Sequence, residues 1–184
     1  VIEGYGLSEA SPLVTYNPAV REGDRVVRTL DRVGGVGLPL SSTDVRIVSD
    51  AGLDVGAGEP GEILVRGPQV MGGYWRRPEE TAAVLTDGWL HTGDVGTMDD
   101  LGYLRIVDRK KDLILVSGFN VYPIEVETCL ATHPDVAEVA VVGVPDETTG
   151  EAVRAFVVPR QAPIDPDDLR RYCRTLLTGY KVPR

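Results

Sequence analysis

Asp108-Arg109-Lys110-Lys111-Asp112 sets five charges in a row directly before the apolar run Leu113-Ile114-Leu115-Val116. Five consecutive charges cannot lie in a core, so this segment is a solvated turn, a linker or a binding site. The chain reads differently on its two sides. Residues 1–107 carry 9 basic and 16 acidic side chains, a balance of −7, whereas residues 108–184 carry 10 and 12, a balance of −2. The chain has three lysines, and two of them stand in this segment. A preference for arginine explains why lysine is scarce, but not why it is placed here.

Upstream, the pattern is mostly strands. Val45-Arg46-Ile47-Val48 alternates and stops at Asp50-Ala51-Gly52, and residues 61–67 form a second strand closed by Gly67-Pro68. Pro78 with Glu79 and Glu80 opens a short helix over 78–85, since Pro suits the first helical position and acids suit the first turn. Residues 89–95 and 103–107 make a strand pair joined through Asp99-Asp100-Leu101-Gly102. A strongly bent antiparallel sheet or distorted barrel is expected here.

Downstream, strand and helix mix. Leu113-Ile114-Leu115-Val116 is a buried-type strand, residues 117–120 turn, and Pro123 starts a helix with Val126, Cys129 and Leu130 on one face. Residues 136–144 and 152–158 are β-branched strands separated by residues 145–150. The last helix has Asp165 as cap and Pro166 first, a face of Leu169, Tyr172, Cys173, Leu176 and Leu177, and Gly179 as its end. The expected class is α+β.

Composition bounds the function. The chain has 184 residues, 42% hydrophobic and 26% charged, which suits a globular protein. Its 21 Gly and 13 Pro favour many turns and short strands. A net charge of −9 disfavours general nucleic-acid binding, because an acidic surface repels phosphate backbones. No apolar run approaches the ~20 residues of a membrane span, and no secretory signal is expected. Cys129 and Cys173 fall in helix-like segments and are expected as buried thiols, in keeping with a reducing cytoplasm. Because the first residue is Val1 and Tyr180-Lys181-Val182-Pro183-Arg184 runs on without a tail, the chain is expected to be a piece of something longer.

The individual motifs are modest. Gly4-Tyr5-Gly6-Leu7-Ser8-Glu9 offers glycines that let a flat ligand approach, an aromatic ring, a hydroxyl and a carboxylate; taken alone, an ordinary loop is the better reading. His91-Thr92-Gly93-Asp94 puts an acid where it could accept from a vicinal diol, or simply cap a turn. His91 reads as a partly buried strand histidine. Glu125 and Glu127 are two apart on a helix and point different ways, so they are not a carboxylate pair.

Taken in order, the motifs are far more specific. Tyr5-Gly6-Leu7-Ser8-Glu9, Trp89-Leu90-His91-Thr92-Gly93-Asp94, Asp108-Arg109-Lys110-Lys111-Asp112 and Ser117-Gly118-Phe119-Asn120-Val121-Tyr122-Pro123 resemble the later core motifs of the adenylate-forming superfamily of acyl-CoA synthetases, luciferases and nonribosomal adenylation domains. Gly67-Pro68-Gln69-Val70-Met71-Gly72-Gly73-Tyr74-Trp75 and Leu177-Thr178-Gly179-Tyr180-Lys181-Val182-Pro183 are similar to bacterial long-chain fatty-acid–CoA ligases. Ser8 departs from the usual Thr but keeps the hydroxyl.

The resemblance implies three parts: the β-rich end of a large domain over 1–107, a hinge at 108–112, and an incomplete small α+β domain over 113–184. It implies that Tyr5 stacks on adenine, Ser8 contacts the adenylate phosphate, Glu9 binds magnesium, Asp94 accepts the ribose hydroxyls and Arg109 contacts the ribose. Lys111 takes the hinge position, and Ser117-Gly118-Phe119 forms the turn that lines the pantetheine tunnel. The implied substrates are a fatty acid, ATP and CoA, in the cytoplasm. Peripheral membrane contact and a homo-oligomer stay open, although no amphipathic basic helix supports the former. The family's phosphate loop falls before Val1 and its catalytic lysine beyond Arg184, so no residue here is taken as catalytic, Lys181 included, and the isolated chain is expected to be inactive. An aryl or medium-chain acid, a carrier-protein acceptor, and a non-catalytic binding module remain the alternatives.

Overall fold

A computed structural model describes residues 3–22, 25–29 and 34–184. Val1, where the sequence reads as cut, lies outside the described residues. In chain order the elements are β1 (Gly4–Gly6), β2 (Leu13–Tyr16), β3 (Ala19–Glu22), β4 (Arg25–Thr29), β5 (Leu38–Pro39), β6 (Asp44–Val48), β7 (Gly61–Arg66), α1 (Pro78–Val84), β8 (Leu85–Thr86), β9 (Trp89–Met98), β10 (Leu104–Arg109), β11 (Ile114–Val116), β12 (Phe119–Val121), α2 (Pro123–Ala131), β13 (Val136–Asp146), β14 (Gly150–Pro159) and α3 (Pro166–Leu176). Short 3-10 turns add Ser8–Ala10, Lys110–Asp112 and Gly179–Lys181. Among the described residues, no helix is long and apolar enough to cross a membrane. The class is α+β, and every pairing with a described register is antiparallel.

The chain divides into two compact units, residues 1–107 and 108–184. In the first, strands run β10-β9-β7-β6 with β8 on β9, beside a sheet β1-β2-β5 and a hairpin β3-β4. Ile63, Leu64 and Val65 are consecutive in β7 and all buried, so this central strand is covered on both faces and shows no alternation. The core gathers Tyr5, Ala10, Val14, Ile47, Ile63, Val65, Leu90 and Leu104. The expected barrel does not close. The outer edge of β6 is taken by its own return loop, where Val55 N–H donates to Ile47 O at 3.0 Å, so no further strand can add there.

In the second unit one sheet runs β12-β11-β14-β13, with α2 and α3 supplying the rest of a core built on Ile114, Val116, Val121, Val126, Leu130, Val141, Val153 and Cys173. Cys129 and Cys173 are free and buried, as expected. Burial holds both thiols protonated, pushing Cys173 up to about 12.

Three expectations are corrected. The turn read over 117–120 is two residues long: Ser117 and Gly118 both have positive φ, 52° and 81°, and Val116 pairs directly with Phe119. Two consecutive left-handed residues give the twist that a tight hairpin needs, so Phe119 and Asn120 already belong to β12. The separator read over 145–150 shrinks likewise, because β13 continues through Pro145 to Asp146. Pro is tolerated there because β13 is an edge strand. Finally, Gly179 does not end α3. The helix stops at Leu176, which is exposed, Leu177 turns extended, and Gly179 opens the next 3-10 turn.

Candidate functional site

In the first unit, β1 and the turn after it present Tyr5, Ser8 and Glu9. Both flanking glycines are there for the chain's own backbone. A Cβ on Gly6 would stand 2.0 Å from Pro12 O, and one on Gly4 would stand 2.8 Å from Thr15 O. Glycine is required at both positions by the approach of the chain's own backbone at Pro12 and Thr15.

Tyr5 is 9% exposed and belongs to the core, while its hydroxyl donates to Asp94 Oδ2 at 2.7 Å. Residues 89 apart in sequence thus meet in one hydrogen bond. Asp94 is delivered by an irregularity in β9. Opposite β7, His91 pairs with Leu64 and Val95 pairs with Glu62, so Thr92, Gly93 and Asp94 together oppose Ile63 alone. Thr92 fills the break in the ladder by donating its hydroxyl to Ile63 O at 2.8 Å and accepting from Asp94 N–H at 3.1 Å. Gly93, at φ 71°, makes the reversal possible. A bulge of this kind re-aims a side chain out of the strand's regular alternation. His91 is a partly buried strand residue, as expected, with Nδ1 3.4 Å from Glu62 Oε2.

Ser8 is exposed and Glu9 half-buried in the 3-10 turn Ser8–Ala10. Glu9 is held twice by the loop before α1. Met71 N–H donates to Glu9 O at 2.7 Å, and the Tyr74 hydroxyl donates to Glu9 Oε1 at 2.8 Å. That bond to the carboxylate raises the Tyr74 phenol above its ordinary range. Sequence reading did not single out Tyr74. Its sign was its place in the Gly72-Gly73-Tyr74-Trp75 phrase, but nothing in a pattern joins residues 65 positions apart. Among the described residues no three His, Cys, Asp or Glu side chains gather into a metal cluster. Glu9 offers a single hard oxygen ligand, and this suits Mg²⁺ when phosphate oxygens and water supply most of its shell.

The second unit holds the remaining candidates. Asp108 is more than a solvated charge: it accepts from Arg109 N–H at 2.7 Å and from Ile124 N–H at 3.1 Å. Tyr122, the residue at the N-cap of α2, supplies no side-chain cap, so Asp108 satisfies one of the helix's orphan donors from 16 residues away. Arg109 and Lys111 are exposed, the latter in the turn Lys110–Asp112. A hollow of about 430 Å³ includes Lys111 beside Asp108, Glu127 and Glu151. Another, of about 380 Å³, is lined by Leu130, Val157, Leu169 and Cys173 and includes none of the candidates. Glu125 and Glu127 do point apart: the first pairs with Lys181, and the second accepts from Val141 N–H at 2.8 Å. Ser117, Gly118 and Phe119 are all exposed, and a Cβ on Gly118 would meet nothing within 4 Å.

Residues 1–75 match the family described as AMP-binding enzyme, and residues 125–184 match the AMP-binding enzyme C-terminal domain. Over 184 residues the chain is 58% identical to a long-chain-fatty-acid–CoA ligase of Yersinia pestis, and it covers 31% of that protein. Among solved structures it is similar to ATP-bound MatB from Rhodopseudomonas palustris, with 40% identity and a TM-score of 0.87 over all of this chain and 35% of that one. It is also similar to the amide bond synthetase McbA from Marinactinospora thermotolerans, with 44% identity and a TM-score of 0.83 over all of this chain and 36% of that one. The chain thus spans about a third of the length of these proteins.

Proposed function

The chain belongs to the AMP-binding enzyme family, and from that premise we propose that the protein containing it is a long-chain fatty-acid–CoA ligase. The observation that carries this reading is 58% identity along the whole chain to a protein of that name. The site's chemistry supports it. In the first half-reaction a carboxylate oxygen of the fatty acid attacks the α-phosphorus of ATP, the bond to pyrophosphate breaks, and an acyl-adenylate forms. In the second, the sulfur of CoA attacks the acyl carbonyl, the thiol proton passes to solvent, and AMP leaves with the anhydride oxygen.

Asp94 accepts the ribose hydroxyls, and Tyr5, bonded to it, borders the adenine. Ser8 donates to the phosphate. Glu9, steadied by Tyr74, would hold the magnesium that accompanies ATP, and that ion would supply positive charge to offset the charge that builds on the transferring phosphate. Arg109 contacts the ribose from the linker, and Lys111 is the point about which the small domain turns between the two half-reactions. Ser117, Gly118 and Phe119 line the path of the pantetheine arm. A turn at the end of a rigid hairpin suits that task, because it can be carried as a unit.

The test uses the complete enzyme. Palmitate should support ATP–pyrophosphate exchange and CoA thioester formation better than ferulate does. Asp94→Ala should lower kcat/KM for ATP by roughly ten- to a hundredfold, the worth of one or two charge-assisted hydrogen bonds. An enzyme that exchanges pyrophosphate with ferulate but not with palmitate overturns the fatty-acid assignment. An Asp94→Ala variant with unchanged ATP kinetics overturns the ribose role.

A further inference from the structure

Phe119 stands at the end of the Ser117-Gly118 hairpin and is 57% exposed. Its own strand, β12, is three residues long and gives the ring little to rest on. The ring is oriented instead from 61 positions away. Tyr180 stacks on Phe119 with ring centroids 4.9 Å apart and planes inclined by 26°.

The turn that carries Tyr180 is itself fixed at several points. Lys181 Nζ donates to both carboxylate oxygens of Glu125 at 2.7 Å, with the Lys181 side chain only 18% exposed. The same ammonium lies 5.8 Å from the Tyr180 ring centroid. Val182 is buried in the core, and Arg184 N–H donates to Val153 O at 3.0 Å. Glu125 lies in the first turn of α2, directly after β12, so the strand that carries Phe119 and the helix that anchors Lys181 are consecutive in the chain. The result is a closed bracket: Tyr180 holds the ring, and Lys181 holds Tyr180.

We infer that Tyr180 is a positioning residue for the second half-reaction. It fixes the Phe119 ring at the wall of the thiol's path, with Lys181–Glu125 as its anchor. This rests on the reading of Ser117-Gly118-Phe119 as the thioesterification turn. It also assigns the only lysine of the chain outside the 108–112 segment a structural task. Packing alone does not require a ring at position 180. Tyr180 is half-buried against the core, a place that leucine fills as well, but only a flat aromatic face can align a second one.

The experiment compares Tyr180→Leu and Tyr180→Phe in the complete ligase. It reads adenylation by pyrophosphate exchange, thioester formation by its KM for CoA and kcat, and the Phe119 ring by the ¹⁹F resonance of fluorophenylalanine placed there. Tyr180→Leu should raise KM for CoA between about two- and tenfold, the worth of one aromatic pair, and leave pyrophosphate exchange unchanged. It should also move the resonance. Tyr180→Phe should match the parent in all three. A Tyr180→Leu enzyme with parental KM for CoA overturns the positioning role, as does one that loses both half-reactions equally. A parent enzyme that exchanges pyrophosphate but forms no acyl-CoA overturns instead the functional reading on which the inference rests.

Discussion

Asp146 shows what a single side chain can settle that a pattern cannot. Sequence reading placed it inside a loop; it is the last residue of β13, and its carboxylate closes the turn to β14. It accepts from Thr149 Oγ1 at 2.7 Å, Thr149 N–H at 2.8 Å and Thr148 N–H at 3.0 Å, and it pairs with Arg184 at 2.9 Å. The Thr149 bonds are the largest cause that lowers its pKa to about 2 from the usual 3.8. A depressed value in the fold means that the unfolded chain takes up the proton first as pH falls. The stability this group contributes is therefore complete above about pH 4 and is lost between about 4 and 2. Protection of the Thr148 and Thr149 amides, their exchange followed by NMR relative to the intrinsic rate at each pH, should fall across that window in the parent chain. Asp146→Ala should exchange fast already at pH 6 and show no step. The candidate site follows the same division between local and distant information. Tyr5, Glu9 and Asp94 stand out in the sequence as candidates because each sits in a contiguous motif, whereas the Tyr5–Asp94 and Tyr74–Glu9 bonds join residues 89 and 65 apart.

At the level of elements, short apolar runs bounded by turn residues located strand interiors well. The strand read at 45–48 is observed as Asp44–Val48, and that at 61–67 as Gly61–Arg66. Proline and acidic residues likewise marked the start of α1, α2 and α3, since φ and first-turn charge are local matters. Strand ends were less legible, because hairpins extend until side chains or turn geometry stop them. The β9 bulge was not legible at all: alternation assumes one residue opposite one, and here three oppose one. A mutation at Gly93 isolates that device. A Cβ there would meet nothing within 4 Å, so the cost of any side chain is backbone strain at φ 71°. Gly93→Val should destabilise the first unit by about 1–2 kcal/mol, and Gly93→Asn by clearly less, because Asn tolerates the left-handed region. Chemical denaturation would measure both. Equal losses for the two variants would mean that the bulge does not depend on this conformation.

Across the whole molecule, the five-charge segment that opens the second unit also marks where one core ends and another begins. The two clusters share no residue: one is built around Ile63 and Leu104, the other around Ile114 and Leu130. Each is fed by its own sheets, and the two units meet in sequence at residues 107 and 108. Two cooperative regions are predicted, because each core is built from its own residues. Ile63 and Leu130 are the sharpest probes, at 0% and 1% exposure. Ile63→Ala should cost about 2–5 kcal/mol, through lost transfer energy and the cavity left behind, and native-state hydrogen exchange should register that loss in β6, β7 and β9 alone. Leu130→Ala should lower protection in α2, β13 and β14 by a similar amount and leave β7 unchanged. The double variant should then be additive to within about 0.5 kcal/mol, as expected of sites with no shared partners. Protection lost in β13 on Ile63→Ala would show the two regions unfolding as one, and the segment at 108–112 would then be part of a continuous fold rather than a join between two.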